Sequence, residues 1–268
     1  MTRALLFFCL LPFFTIAQPT HHGGLVLRGG YEYSEFTGSD FNDFVRNYNA
    51  YYGGNMKSPM DTLALTASSH PEMGIGVRYY SGENFGFSTS LILNYGQRKF
   101  GTESTFANDI VTAADFRVRD WTAQIDLGIH IKKVLFLHGH LAGRFRRSVL
   151  DLGYYYQDGS YSLGNEYDIL GVYQANTTTL DVGGGLGLKL GPVFIPVSIS
   201  FPTNAFSDDG LLTLMDFDKR QIRWNDLPRD FETWVNDPAS LDLDEGFVRA
   251  QSFRTWRINI GIELLIGG

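Results

Sequence analysis

The sequence predicts an all-β protein: an eight-stranded antiparallel up-and-down transmembrane β-barrel with long external loops carrying short helices. Three observations predict it. The chain opens with an export-type segment. Eight stretches then alternate strictly between apolar residues and small, polar or charged ones, and their connections alternate between short turns and long polar segments. Short turns on one side and long loops on the other are the pattern of membrane barrels.

The export segment is residues 1–17. Arg3 precedes an apolar run from Ala4 to Ile16, and Thr15 and Ala17 supply small residues at cleavage spacing. This reads as a signal peptide cleaved before Gln18, too short to cross a bilayer as a helix. Residues 18–268 then form one outer-membrane β-barrel domain. Cys9 is the only cysteine and lies in the apolar run, so the exported part has neither disulfides nor thiolate metal sites. Without Arg3, 21 basic residues stand against 29 acidic ones, a net charge of −8. That excludes nucleic acid as a partner, since such proteins need a basic surface. No later run is apolar for the ~18 residues of a membrane helix.

In residues 25–34, Leu25, Leu27, Gly29, Tyr31 and Tyr33 share one face, while Val26, Arg28, Gly30, Glu32 and Ser34 share the other. Met73, Ile75, Val77 and Tyr79 alternate with Gly74, Gly76, Arg78 and Tyr80. The same rhythm runs through 85–96, 121–131, 135–146, 178–190, 193–201 and 256–264. Period two marks strands with chemically different faces. Residues 81–84, Lys132-Lys133 and Gly191-Pro192 are the short turns, whereas 36–70, 101–116, 151–176 and 207–250 are the long loops. Aromatics such as Tyr31, Tyr33, Tyr79, Phe85, Tyr95, Trp121 and Trp256 end the apolar faces, which suits the two membrane interfaces. Even strand number puts both termini at the periplasmic, short-turn side.

Within the loops, Phe41, Phe44, Val45 and Tyr48 fall at helical spacing in 40–52, and Phe231, Trp234 and Val235 share one side of 228–235. Both segments read as short amphipathic helices, the first capping the barrel mouth, with a partner-docking helix as the alternative. His21-His22 reads as a periplasmic tail.

The run LDVGGGLGLKLGPVFIPVSIS (180–200) poses the question of a phosphate loop. Lys189 lacks the following Ser or Thr of a Walker loop, and Gly183, Gly185 and Gly187 stand two apart, with no helix following. The run reads as two strands flanking Gly191-Pro192, with the glycines forming a smooth strip on the lumen wall that leaves room for facing side chains such as Arg144.

Taken together, the chain resembles the outer-membrane β-barrel proteins abundant in Bacteroidota, of small OmpA/OmpX-like type. The residues carrying this are the signal end TIAQ, the first strand GLVLRGGYEYSEF, the hairpin MGIGVRYYSGENFGFSTSLILNYG and the closing RINIGIELLIGG. The chain departs from many such barrels in ending on Gly267-Gly268 and not on an aromatic residue. The resemblance implies localisation in a bacterial outer membrane, contact with its lipid and a protein partner at the external loops. It also implies a non-enzymatic role in envelope structure, surface interaction or as an accessory subunit, with a narrow solute pore or a lipid-modifying enzyme as alternatives.

An eight-stranded lumen is filled by side chains. Its charges (Arg28, Glu32, Arg78, Arg98, Asp126, Arg144, Arg146, Asp181, Lys189, Arg257 and Glu263) must therefore pair with one another, because unpaired buried charge is costly. His138 and His140 project to one side of one strand. With Asp126 or His130 they suit a metal site or an acid-base pair, but Arg144 and Arg146 would repel a cation, so they read as members of a hydrogen-bonded lumen cluster. Ser148, His140 and Asp126 can be drawn as a triad, but eight residues on one strand set Ser148 about 26 Å from His140. No cofactor, metal or catalytic residue is therefore expected. Asp242, Asp244 and Glu245 offer oxygens to Ca²⁺ but lack EF-hand spacing and read as a solvated loop. Asp61-Thr62-Leu63 resembles a Bacteroidota O-glycosylation pattern, which makes Thr62 the acceptor.

Overall fold

The computed structural model describes residues 21–35, 39–63, 67–156, 158–162, 169–203, 210–215, 221–242, 246–249 and 256–267. The signal segment 1–17 lies outside them, as do Asp244 and Glu245.

Eight strands close a ring: β1 (His21–Glu35), β2 (Ala67–Ser81), β3 (Phe85–Phe106), β4 (Val111–Ile131), β5 (Leu135–Tyr155), β6 (Gly171–Leu190), β7 (Val193–Thr203) and β8 (Arg257–Ile266). Each pairs antiparallel with the next. β8 returns to β1 in continuous register, from Leu25 opposite Ile266 to Ser34 opposite Arg257. Closure leaves the ring without an edge, the condition for a sheet to lie in lipid. Lys132 and Lys133 both sit at a φ of 53°, and Val134 N–H donates to Ile131 O at 3.0 Å. This left-handed pair matches the twist of a two-residue hairpin.

The expected faces appear as exposure. Leu25, Leu27, Met73, Ile75, Leu93, Leu127, Leu141 and Ile262 are exposed on the outside, while Arg28, Glu32, Arg78, Asp126, Arg257 and Glu263 are buried inside. Such an arrangement is inside-out for water and correct for a bilayer. Tyr95, Trp121 and Phe145 are aligned across β3, β4 and β5, with ring centroids 5.5 and 5.7 Å apart. Tyr33 and Trp256 continue this girdle at 5.9 Å. From Phe85 to Tyr95 the strand climbs ten residues, about 33 Å along its axis and, at the usual tilt, about the 25 Å height of a lipid-facing band.

Above the girdle the polarity inverts. On the same inward parity as Asp120 and Asp126, β4 carries Val118, Phe116 and Ala114, all buried; β5 carries Leu150 and Leu152 beyond Arg146, and β6 carries Tyr173. Outward positions become Lys99, Arg117, Arg119 and Arg147. Arg117 pairs with Asp151, and Arg147 donates to Gln174 at 2.7 Å. The barrel is thus a membrane protein below the girdle and a water-facing sheet above it.

This inversion corrects the assignment of 101–116 as a long loop. β3 and β4 stay paired to Thr105 opposite Val111, and the connection is a tight turn with Asp109 at a φ of 64°. The loop expected at 151–176 is shorter for the same reason, since β5 runs to Tyr155 and β6 begins at Gly171. His21-His22 is no tail either: both residues pair with β2, and the His22 ring stacks on Tyr80 at 5.7 Å.

Candidate functional site

Two constructions stand out: a charged lumen and a packed cap at its long-loop end. The lumen begins at the turn end with an apolar layer of Val26, Tyr80, Phe136, Phe194 and Leu265. His130 belongs to this layer. It contacts the rings of Tyr80 and Phe136, and its Nε2 is 2.8 Å from Ser81 O. Lys189, expected in the charge network, meets the Tyr80 ring at 5.4 Å instead.

Above this layer lies a lower charge group. Arg78 donates from Nε and Nη2 to Glu263 Oε2 at 3.2 and 2.9 Å and approaches Asp126 Oδ2 at 3.5 Å; Arg28 Nη1 lies 3.7 Å from Glu263 Oε1. Asp126 further accepts from Ser90 Oγ at 2.5 Å and Gln124 Nε2 at 2.6 Å. His138 and His140 point into this level, His140 directly opposite Asp126.

The upper group holds four arginines on three carboxylates. Glu32 accepts from Arg144 Nη2 at 2.5 Å and Arg98 Nη2 at 3.1 Å, with Arg257 Nε at 3.8 Å. Asp120 accepts from Arg146 Nε at 2.7 Å and Arg98 Nη2 at 3.0 Å. Asp181 accepts from Arg257 Nη1 at 2.5 Å and Arg144 Nε at 3.3 Å. His70 and Glu72 sit beside it, 3.8 Å apart. Every strand except β7 contributes charge, so the network braces the ring across its diameter.

Of the residues singled out in the sequence, Arg28, Arg78, Asp126, His138, His140 and Glu263 are brought together below, and Glu32, Arg98, Arg144, Arg146, Asp181 and Arg257 above. Asp120, His70 and Glu72 are additions. Each lies an even number of residues from a recognised lumen position (Asp120 from Asp126, His70 and Glu72 from Arg78), so parity alone would have found them. The histidines are not in a hydrogen-bonded cluster with Arg144 and Arg146. Those arginines are turned to Glu32, Asp120 and Asp181, while Nδ1 of His138 and of His140 has no hydrogen-bond partner. The glycine strip is likewise occupied differently: Arg144 lies opposite Thr179, while a Cβ on Gly183 would stand 2.5 Å from His140 Nε2 and one on Gly187 2.0 Å from the Phe194 ring. Ser148 is buried on the face of His140, eight residues further along β5.

The cap is built on the inverted part of the strands. Helix α1 (Ser39–Tyr52) buries Phe41, Phe44, Val45 and Tyr48, and α2 (Phe231–Asn236) buries Phe231. Asp230 caps α2 by accepting from Thr233 N–H at 3.0 Å. Tyr48 packs on Phe231 at 5.6 Å and donates to Thr112 Oγ1 at 3.3 Å, while Phe41 stacks on Phe116 at 6.3 Å. Two asparagines bind the chain after α1 as a strand would. Asn42 exchanges both amide bonds with Leu63 (2.9 and 2.8 Å), and Asn49 does so with Met60 (2.8 and 3.0 Å). Asn47 donates to Arg229 O at 3.0 Å, which ties the first loop to the last. Thr62 is exposed on this cap, next to Asp61, whose carbonyl accepts from Thr102 Oγ1 at 2.7 Å.

No protein-family model and no curated protein sequence matches the chain. Among solved structures it is similar to Ail, the attachment invasion locus protein of Yersinia pestis, in complex with the heparin analogue sucrose octasulfate. The identity is 11%, over 90% of this chain and 96% of that one, with a TM-score of 0.38. A second structure of Ail shows 11% identity over 90% and 95% of the two chains, with a TM-score of 0.33.

Proposed function

We propose that the chain is an integral outer-membrane barrel of the Bacteroidota type, exported by a cleaved signal at 1–17, which works without catalysis by presenting its cap to a protein partner outside the cell. In this reading the outer-membrane lipid surrounds the apolar band, the lumen is a structural brace closed to solutes, and Thr62 on the cap is open to O-glycosylation. One observation carries it. β3, β4 and β5 continue about as far above the aromatic girdle as below it, and there they change to an apolar inside that seats α1 and α2. A barrel that only filled the membrane has no use for that second core. Loops held on a rigid scaffold are where binding function concentrates.

The test places a photo-crosslinking residue at Tyr51 or Val235, both exposed on the cap, in intact cells. A discrete protein adduct at either position is the expected result. No adduct at both, with the cap cleavable by external protease, overturns the proposal.

A further inference from the structure

We propose that Asp126, His138 and His140 bind one divalent transition-metal cation of the zinc type inside the lumen, between the apolar layer and the arginine network. Their ligand atoms already lie within 4.8 Å of one another. A tetrahedral zinc with bonds near 2.0–2.1 Å needs its ligands about 3.4 Å apart, so small side-chain rotations complete the site. The backbone presets it: His138 and His140 are two apart on β5 and share the inward face, and β4 holds Asp126 directly across from His140.

The imidazoles are otherwise unexplained. Both residues are more than nine-tenths buried, and the Nδ1 atom of each lacks a hydrogen-bond partner, a condition that buried polar groups seldom tolerate. The carboxylate, by contrast, is oriented by Ser90 and Gln124, the kind of support that metal-binding side chains receive from their neighbours. Gly183 and Gly185 on β6 send no side chain into the space. The cations that face the site, Arg28 and Arg78, are both held by Glu263. Arg78 makes its longest bond, 3.5 Å, to Asp126, and an incoming metal displaces it towards Glu263. Two imidazoles and one carboxylate suit zinc, cobalt or nickel, whereas calcium and magnesium require oxygen ligands. The other histidine-carboxylate group, Glu32, His70 and Asp120, has its carboxylates taken by arginines and provides the control.

The experiment uses the full exported chain refolded in detergent with Zn²⁺ or Co²⁺ alone, in a His21→Ala/His22→Ala background that removes the histidines at the start of β1. One zinc per chain after gel filtration, and cobalt absorption bands of tetrahedral type, are expected. His140→Ala and Asp126→Asn should each weaken binding roughly tenfold or more, and His70→Ala should not. Heat-modifiable gel migration verifies folding of each variant, and His138→Gln replaces any that fails. A chain that stays metal-free, or that keeps its zinc in His140→Ala or His138→Gln, or that loses it equally in His70→Ala, overturns the proposal whatever the cap binds.

Discussion

Replacing Arg144 by Met tests the claim that the lumen is a brace. Arg144 reaches three carboxylates: Glu32 at 2.5 Å, Asp181 at 3.3 Å and Asp120 at 3.6 Å. Two of these are hydrogen bonds to a charged acceptor, about 1.5–3 kcal/mol each. Met fills the stem volume but leaves Glu32 and Asp181 short of a buried partner. The cost should therefore fall at about 3–5 kcal/mol, the range for breaking a buried pair. Glu32→Gln removes the common acceptor of Arg144 and Arg98 and should cost a similar amount. The double variant Arg144→Met/Glu32→Gln removes one charge of each sign and should cost about 1–3 kcal/mol less than the sum of the two singles. Urea titration in lipid vesicles, with the folded fraction read from heat-modifiable migration, gives the three midpoints, and an unchanged slope licenses the comparison. Additive effects, or a single-variant loss under about 1 kcal/mol, would refute a network that acts as one unit.

Leu127→Arg places a charge on the lipid face below the girdle and should destabilise by about 2–4 kcal/mol in the same titration, whereas Arg117→Ala, on that parity but above the girdle, should change stability by under about 1 kcal/mol. Asn42→Ala leaves both Leu63 backbone groups without their partners; about 1–3 kcal/mol of cap stability is lost, and limited proteolysis should cut residues 59–63 faster than in the parent chain. Lys133→Gly relieves one left-handed non-glycine position and should raise the urea midpoint by the equivalent of about 1 kcal/mol; a lowered midpoint would count against the turn geometry.

The chain by itself determined the ring. Strand number, inward and outward faces and the three short turns are local features, because side chains alternate with period two and a turn is decided by the few residues within it. The identity of Arg28, Glu32 and Arg144 as lumen residues followed from the same parity. What reading along the chain could not reach is where a face changes its solvent. Val118 and Asp120 share one parity in β4, yet one packs under the cap and the other binds arginine, because the cap's apolar side chains reach the first and the lumen arginines reach the second. A rule that expects one polarity per face therefore reads 101–116 as loop. Partnership is equally a tertiary matter. Arg144 and Glu32 are 112 residues apart, and Asn47 and Arg229 are 182 apart. Only closure of the barrel, which sets β1 near β5 across the lumen and the first loop beside the last, decides that they meet. It also decides that His138 and His140 face Asp126 with their Nδ1 atoms unclaimed, and that Arg144 and Arg146 are turned away from them.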